Sequence, residues 1–369
     1  GDRRDPAHGR VARPGRTVAM VRSATLPPLE APVTPAAALT RIVHCLDRAL
    51  ASPYRSAAFV RALEVVRATD PVELAERARD GRLTELEGIG EASAGVITEA
   101  LAGRVPAYLA KAEAESQIEI SDAGTEYRAA LRGDCHLHSV WSDGGAQIDE
   151  MAATAIALGH EYMVLTDHSA RLTVAHGLDA ARLADQLDVV AGLNADLAAA
   201  GTEFRILTGM EVDILDDGSL DLADDMLARL DVVVASVHSK LKMDADQMTR
   251  RMVAAVANPH VDILGHCTGR KIGKRAQSWF DADYVFAACA QYGTAVEINC
   301  RPERLDPPRE LIDLALEYGC YFSIDSDAHA TGQLEWLPHG CDRAAERDVP
   351  LEQIVNTWPA DDLLAWTRA

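Results

Sequence analysis

The feature that most constrains this chain is a repeated alternation of short apolar runs and helical segments over residues 131–369. Short buried strands separated by helices are typical of a parallel sheet with helices packed against it. Seven such units predict a parallel barrel, in which the carboxyl ends of all strands meet at one face. The apolar runs are Asp134–His138, Tyr162–Thr166, Ile206–Val212, Val232–Val237, Val261–Leu264, Thr294–Asn299 and Tyr321–Ile324.

Six histidines and three carboxylates stand at or just after the ends of these runs: His136, His138, Asp143, His168, Glu211, His238, His266, Asp327 and His329. Any one of them could be an ordinary core or surface residue, so the prediction depends on the whole set. Histidine and carboxylate ligands without thiolates suit Zn²⁺, Mn²⁺ or Fe²⁺. The set exceeds the needs of one ion. It therefore predicts two or three divalent ions, with Glu211 able to bridge two of them.

Residues 36–110 have the apolar spacing of helices throughout. Two short helical segments are joined there by Gly88, Ile89 and Gly90. Glycines permit a tight turn and leave free N–H groups at the start of the next helix, where a phosphate can bind. We interpret these three residues as the DNA-binding turn of a helix-hairpin-helix. An ordinary helical turn is the alternative.

Differences in composition divide the chain into segments. Residues 1–35 are rich in proline, arginine and alanine and lack periodicity, which predicts a disordered tail. Residues 36–110 form the predicted helical domain, residues 111–130 a linker, and residues 131–369 the barrel domain. Within the linker, Glu113–Asp122 is compatible with a rigid helix or with a flexible joint.

The charge and cysteine content limit the surroundings and partners of the chain. Its 36 basic and 57 acidic residues give a net charge of −21, which argues against binding nucleic acid by bulk charge alone. Scattered cysteines without a CxxC pair favour a reducing cytoplasm over a disulfide framework. No apolar run reaches the roughly 18 residues of a membrane span, and we identify no signal peptide. We expect a cytoplasmic protein without a membrane partner; the sequence does not define its oligomeric state.

Short motifs around the candidate ligands resemble those of the PHP (polymerase and histidinol phosphatase) domain family. In chain order they are HxH at 136–138, SDG at 142–144, TDHS at 166–169, GMEVD at 209–213, ASVHS at 235–239, LGH at 264–266, EIN at 297–299 and DSDAH at 325–329. The resemblance covers essentially all of residues 131–369. More narrowly, the chain is similar to the carboxyl-terminal PHP domain and the amino-terminal helix-hairpin-helix domain of bacterial family X DNA polymerases.

This resemblance implies a distorted (β/α)7 barrel preceded by a small all-α helix-hairpin-helix domain. The implied ligands are His136, His138, Glu211 and Asp327 for the first ion, Glu211, His238 and His266 for the second, and Asp143, His168 and His329 for the third. Asp143 replaces a histidine of some relatives, which favours Mn²⁺ over Zn²⁺ in the third site. Glu211, Asp327 and His238 are the expected catalytic residues.

Two departures from the family pattern limit the expected activity. Only about twenty residues, 111–130, separate the two domains, too few for the palm and fingers of a polymerase. We therefore expect no nucleotide addition. Residues 1–110 contain no lysine, and Val96 stands where the pattern would offer one. Because a Schiff base needs an amine, we also expect no deoxyribose-phosphate lyase activity from the helical domain.

The helix-hairpin-helix favours a metal-dependent DNA phosphoesterase. Its expected activity is 3′–5′ exonuclease or abasic-site processing in DNA repair, on single-stranded DNA or 3′ ends. A small-molecule phosphomonoesterase of the histidinol-phosphatase type is the alternative, because a fold does not decide its substrate. A non-catalytic DNA-binding scaffold ranks third.

A few further residues are candidates for contacts around the metal ions. Arg270, Arg301 and Arg304 are the expected phosphate-binding residues, with a solvated charged surface as the alternative. Trp141 could stack on a base or belong to the core. Asp134 and Asp167 are expected to accept hydrogen bonds from N–H groups of the ligands rather than to bind metal.

Overall fold

Residues 22–369 are described in this computed structural model. Residues 1–21, the larger part of the predicted disordered tail at 1–35, lie outside the described residues. Residues 22–34 contain no helix or strand, yet they contact the barrel. Arg22 forms an ion pair with Glu161, and the N–H of Leu26 donates to Glu335 at 3.3 Å. The end of the predicted tail therefore packs on the folded chain.

Six helices precede the first strand: α1 (Pro35–Arg48), α2 (Pro53–Ala68), α3 (Pro71–Arg79), α4 (Glu91–Leu101), α5 (Ala107–Glu115) and α6 (Asp122–Ala130). α1 begins after Thr34, whose hydroxyl accepts a hydrogen bond from the N–H of Ala37 at 3.2 Å. α3 begins after Asp70 in the same way, with Pro71 as its first residue. The first five helices share one apolar core.

The predicted linker at 111–130 is mostly helical, because it contains the end of α5 and the whole of α6. α6 packs on the barrel, where the Tyr127 hydroxyl donates to the carbonyl oxygen of Val349 at 2.8 Å and the Arg128 side chain is buried. Before α6, the N–H of Ser121 donates to Asp342 at 3.0 Å. This segment therefore forms part of the barrel surface and is not a free joint.

Seven parallel strands form the centre of the larger part, in the order in which they occur along the chain. They are β1 (Gly133–Leu137), β2 (Tyr162–Leu165), β3 (Arg205–Asp213), β4 (Val232–Ser236), β5 (Ile263–Leu264), β6 (Ala295–Asn299) and β7 (Phe322–Asp325). The chain after β7 meets β1, since the N–H of Asp327 donates to the carbonyl oxygen of His136 at 2.9 Å. The sheet is thus a nearly closed barrel, and the (β/α)7 prediction is confirmed.

Helices surround the strands on the outside: α7 (Ile148–Ala157), α8 (Ala180–Ala199), α9 (Asp224–Leu227), α10 (Ala245–Val256), α11 (Ala282–Tyr292), α12 (Arg309–Glu317), α13 (Leu337–Glu346) and α14 (Ala360–Thr367). Strand residues such as Val234 and Ile298 are fully buried, as expected where both faces of a sheet are covered. Among the described residues, no helix has both the length and the apolar character needed to cross a lipid bilayer.

A buried cluster of charges joins the helical region to the barrel. Glu335 lies in a short 3₁₀ segment, Thr331–Trp336, and is fully buried. Its carboxylate pairs with Arg48 and lies 2.5 Å from Nε2 of His44, both on α1. The indole N–H of Trp336 donates to the carbonyl oxygen of Arg48 at 2.9 Å. A buried carboxylate of the barrel therefore depends on the helical region for its partners.

Candidate metal centre

The nine side chains predicted as ligands converge at the carboxyl ends of the strands. His136 lies in β1 and Glu211 in β3, whereas the others lie in the loops that follow β1, β2, β4, β5 and β7. Parallel strands end at the same face of a barrel, so residues far apart in sequence meet there. Most of the set is buried, and Asp143 is the exposed member.

Glu211 stands at the centre of the cluster. Its Oε1 lies 2.8 Å from Nε2 of His266 and 3.1 Å from Nε2 of His238. Its Oε2 lies 3.0 Å from Nδ1 of His168 and 3.2 Å from Nε2 of His136. The two oxygens thus face different histidines, which is the arrangement expected of a carboxylate that bridges two ions.

Two further carboxylates extend the cluster on the side of β7. Asp327 Oδ1 lies 3.5 Å from Nε2 of His138 and 3.6 Å from Nδ1 of His329. Asp143 Oδ1 lies 3.4 Å from Nε2 of His329 and 3.5 Å from Nε2 of His168. His329 therefore lies beside both carboxylates.

Three groups of ligand atoms each lie within 4.8 Å of one another: His138, Asp143, His168 and His329; His136, His138 and Asp327; and His168, Glu211 and His238. These groups overlap the implied ion sites but do not coincide with them. His138 joins the group of Asp143, and His168 joins that of Glu211. The division of ligands among ions therefore stays a prediction.

Several of these buried polar atoms lie near one another but form no hydrogen bond of suitable geometry among the described residues. They include both oxygens of Glu211, Nε2 of His136 and His238, and both ring nitrogens of His138. Burying a polar atom without a partner costs about 1–3 kcal/mol, so native proteins rarely leave a group of them unsatisfied. The donor set and these unsatisfied atoms fit divalent metal ions.

The pKa values describe the balance of charge in the cluster. Burial raises the pKa of Glu211, but the charges of His136, His238, His168 and His266 outweigh this and hold it well below its usual value. Burial also disfavours the protonated form of His238, yet Glu211 and Asp213 raise its pKa to about 9. Glu211 thus stays ionised and needs cationic partners. Divalent ions held by these side chains would supply that positive charge in place of protons.

Two carboxylates missed by the sequence analysis orient ligand histidines. Glu297 Oε1 lies 2.5 Å from Nδ1 of His136, and Asp213 Oδ1 lies 3.3 Å from Nδ1 of His238. A hydrogen bond at one ring nitrogen sets the tautomer that leaves the other free for metal. Both residues belong to motifs of the family pattern, EIN and GMEVD. Their place in these motifs is the sequence signal that could have identified them.

Asp134 and Asp167 also lie beside the candidate ligands, but they accept hydrogen bonds from main-chain N–H groups and not from imidazoles. Asp134 accepts a hydrogen bond from the main-chain N–H of the ligand His136 at 3.2 Å. Asp167 accepts from the N–H of Ser139 at 2.8 Å. Both carboxylates therefore hold the backbone of the ligand loops, whereas the imidazoles of His136 and His238 lie beside Glu297 and Asp213. Trp141 is half-buried and packs against two apolar clusters of the barrel.

The three predicted phosphate-binding arginines divide into two kinds. Arg301 donates to the carbonyl oxygen of Asp327 at 3.2 Å, and Nε of Arg304 lies 3.3 Å from Oδ2 of Asp327, so both reach the cluster. Arg270 is held in another way, because it donates to the carbonyl oxygens of Arg304, at 2.9 Å, and of Leu305, and its contact with phosphate stays a prediction. Its guanidinium is held by main-chain acceptors and fixes the loop that carries the other two arginines.

The predicted hairpin turn lies away from these ligands, in the helical region. Its first helical segment is only a 3₁₀ turn, Leu83–Glu85, and its second is α4. Gly88 has a positive φ of 97°, which favours glycine, and the Ile89 side chain is buried in the helical core. Gly90 directly precedes α4, and a groove of about 320 Å³ lies beside it, lined in part by Phe59 and Arg61.

A parallel (β/α)7 barrel with histidines and carboxylates gathered at its carboxyl-terminal face defines a metal-binding barrel protein. A sequence model of the PHP domain matches residues 134–301. The chain belongs to the PHP domain family. Over 211 residues it is 30% identical to a protein of Thermoanaerobacter sp. (strain X514) named "Probable phosphatase". The aligned residues make up 54% of this chain and 79% of that protein.

Two other known proteins are similar to parts of the chain. Over 238 residues, 64% of this chain, it is 40% identical to the DNA polymerase/3′-5′ exonuclease PolX of Bacillus subtilis (strain 168). The chain spans 41% of the length of that protein. The crystal structure of histidinol phosphate phosphatase from Lactococcus lactis subsp. lactis aligns with a TM-score of 0.42 at 17% identity, over 59% of this chain and 93% of that one.

Proposed function

We propose that this protein hydrolyses DNA phosphodiester bonds at 3′ ends, using water activated by two or three divalent ions at the barrel face. In its broad class it is a hydrolase of phosphoric ester bonds. The observation that carries the proposal is Glu211, a buried carboxylate with nitrogen atoms of five histidines within 3.5 Å. A cluster of this kind suits phosphoester hydrolysis and needs no serine or cysteine nucleophile.

Different residues of the chain would hold the metal ions, orient the ligands and bind the phosphate. Divalent ions, when bound, lower the pKa of a coordinated water and neutralise charge on phosphate oxygens. Glu211, Asp327 and His238 would act in this chemistry, and Asp213 keeps His238 turned so that its Nε2 faces Glu211. Arg301 and Arg304, beside Asp327, would bind the non-bridging oxygens of the phosphate.

The donor types suggest which ions bind. Imidazole nitrogens dominate around Glu211 and suit Zn²⁺ or Fe²⁺, whereas a carboxylate at Asp143 makes its group harder and favours Mn²⁺. We therefore propose Mn²⁺ for the group of Asp143, His168 and His329.

DNA as substrate is supported by two observations outside the metal centre. The helical region places a glycine turn at the start of α4, with a groove beside it. The Bacillus relative, which carries 3′-5′ exonuclease in its name, is similar over 64% of the chain. The interval between α5 and β1 is too short for a polymerase palm, so the proposal includes no nucleotide addition. We also propose that the helical region and the barrel are separate domains.

A digestion assay tests the proposal directly. Purified protein stripped by chelator and reloaded with Mn²⁺ is expected to shorten a 5′-labelled single-stranded oligonucleotide into a ladder. His136→Ala removes a ligand nitrogen that lies 3.2 Å from Glu211 and is expected to lower the rate by about 100-fold or more. His260→Ala is the matched control, because His260 precedes β5 at the opposite end of the barrel.

The same assay separates the two candidate activities. An intact oligonucleotide, together with rapid phosphate release from histidinol phosphate, would contradict the DNA proposal and favour a small-molecule phosphatase. Loss of activity in His260→Ala as well would show that the effect of His136→Ala is not specific to the metal centre.

Gly90→Asp is expected to weaken single-stranded DNA binding without unfolding the helical region. A Cβ at Gly90 meets no atom within 4 Å, and its φ of −100° suits any residue. Aspartate there caps α4, but its charge repels a phosphate at the helix start, which predicts roughly fivefold weaker binding. Gly90→Asn caps the helix without charge and is the control. Equal affinities in fluorescence anisotropy would place the DNA elsewhere.

A further inference from the structure

Lysine is distributed very unevenly in this chain. There are five lysines: Lys111, Lys240, Lys242, Lys271 and Lys274. Four of them lie in the loops that follow β4 and β5. These are the loops that begin with the candidate ligands His238 and His266, so the lysines belong to loops on the metal-binding face of the barrel. A chain of net charge −21 thus concentrates its flexible cations beside the candidate metal centre.

The two lysine-bearing loops contact each other. Residues 268–278 form a short finger, in which the N–H of Lys271 donates to the carbonyl oxygen of Arg275 at 3.0 Å, and the N–H of Ser278 to that of Thr268 at 2.7 Å. The Ser278 hydroxyl donates to the carbonyl oxygen of Leu241, between Lys240 and Lys242, at 2.8 Å. The two loops that carry the lysines therefore lie side by side, and we call these four residues the lysine track (Lys240, Lys242, Lys271 and Lys274).

The finger also connects the lysine track to the arginines at the metal centre. The N–H of Ile272 donates to the carbonyl oxygen of Glu303 at 2.7 Å, which places Lys271 beside the loop of Arg301 and Arg304. Burial lowers the pKa of Lys271, and the charges of Arg304 and Arg301 lower it further. These cations are held close together despite their mutual repulsion, as in sites built for anions.

Carboxylates neutralise only part of this charge. Lys274 pairs with Glu303 at 2.6 Å, and Lys240 pairs with Asp216. Neither Lys242 nor Lys271 has a carboxylate oxygen within 4.0 Å among residues 22–369. Two ammonium groups of the track are therefore available to external anions.

An exposed aromatic side chain completes this surface. Trp279 follows Ser278 directly and is 69% exposed, whereas the other four tryptophans are half-buried or fully buried. Exposed aromatic rings beside lysines are the combination that binds single strands, because bases stack on the ring while phosphates contact the cations.

We propose that the lysine track and Trp279 hold the single-stranded DNA that extends beyond the scissile phosphate, with Lys242 and Lys271 contacting its backbone and Trp279 stacking on a base. This inference rests on the proposed function and names how its substrate is held. A small phosphomonoester has neither a second phosphate nor a neighbouring base to occupy these groups. The track would thus favour polynucleotides over such compounds.

Salt-dependent binding tests the track separately from cutting. The probe is a fluorescein-labelled single-stranded oligonucleotide with phosphorothioate linkages, which resist cleavage. For single strands the slope of log affinity against log salt changes by about 0.7 per phosphate contact, so K242Q/K271Q should reduce it by about 1.4. Lys111→Gln, at the exposed fifth lysine on α5, should leave the slope unchanged. Trp279→Ala should weaken binding about fivefold or more. Tyr292→Ala, at an exposed aromatic residue at the end of α11, is the control and should leave the affinity unchanged.

Three outcomes of these binding measurements bear on the proposed contact with DNA. Wild-type slope and affinity in K242Q/K271Q would overturn the track, whatever the protein cuts. Polyglutamate that competes as well as DNA, with Trp279→Ala unaffected, would overturn it in favour of an acidic protein partner. The expected binding changes in a protein that leaves unmodified DNA uncut in Mn²⁺ would support the track and contradict the proposed nuclease.

Discussion

Glu211→Gln is expected to abolish hydrolysis, with a loss of at least about 10³-fold, equivalent to about 4 kcal/mol of transition-state stabilisation. The substitution keeps the shape of the side chain but removes the charge that five neighbouring histidines surround. Because its two oxygens face different histidines, we expect the loss of at least one ion per chain. Metal content by mass spectrometry and the rate of oligonucleotide digestion are the two measurements.

The matched control for this variant is Glu203→Gln. Glu203 is exposed and precedes β3, at the opposite end of the barrel from Glu211. It undergoes the same chemical change, so it should keep full metal content and activity. Unchanged metal content in Glu211→Gln would mean that this carboxylate does not bind the ions, and the proposed centre would be wrong.

Glu335→Gln is expected to lower the free energy of unfolding by about 3 kcal/mol, because removing one member of a buried ion pair leaves the other without a partner. Arg48 then has no charged partner, and one of the two oxygens that His44 and Arg48 contact becomes an amide nitrogen. Since these contacts join the helical region to the barrel, we also expect the helical region to unfold at a lower denaturant concentration. Circular dichroism during urea unfolding measures both changes.

The exposed Glu352 provides the control, Glu352→Gln, with an expected change within about 0.5 kcal/mol. The pH dependence gives a second measurement. Burial raises the pKa of Glu335, but the hydrogen bond and charge of His44 and the charge of Arg48 hold it below its ordinary 4.5. A lowered folded-state pKa contributes stability above pH 4.5 that is lost as pH falls further. This loss should be smaller in Glu335→Gln than in the wild type, because other carboxylates with lowered pKa values, such as Glu211, remain in both proteins; equal pH profiles would contradict the assignment.

The barrel was predictable because its pattern is local. Each strand is a short apolar run, and six of the seven runs end within a few residues of a candidate ligand, as at Leu264 and His266. The topology of a parallel barrel then brings all carboxyl ends to one face, whatever the details of packing. The convergence of the nine side chains follows from these two facts alone.

The segments before the barrel were less predictable. The predicted tail and linker have weak periodicity, yet Arg22, Leu26 and Tyr127 find partners on the barrel. Composition reports how much apolar surface a segment can bury by itself. It does not report the surface that a neighbouring domain offers.

The partners of charged side chains required the structure as well. Sequence spacing placed Arg270, Arg301 and Arg304 in one group, but main-chain oxygens hold Arg270 while the other two reach Asp327. A side chain's direction depends on which acceptors surround it, and spacing carries no information about them.

By itself, the sequence determined the order of the strands and which residues stand at their ends, because periodicity and motif spacing act over a few residues. Only the tertiary structure decided which distant groups pair: His44 with Glu335, 291 positions apart, and the loop of Lys242 with that of Lys271. Such pairings arise because a buried polar group takes whatever partner the packing of separate elements brings near, and no local pattern encodes that partner.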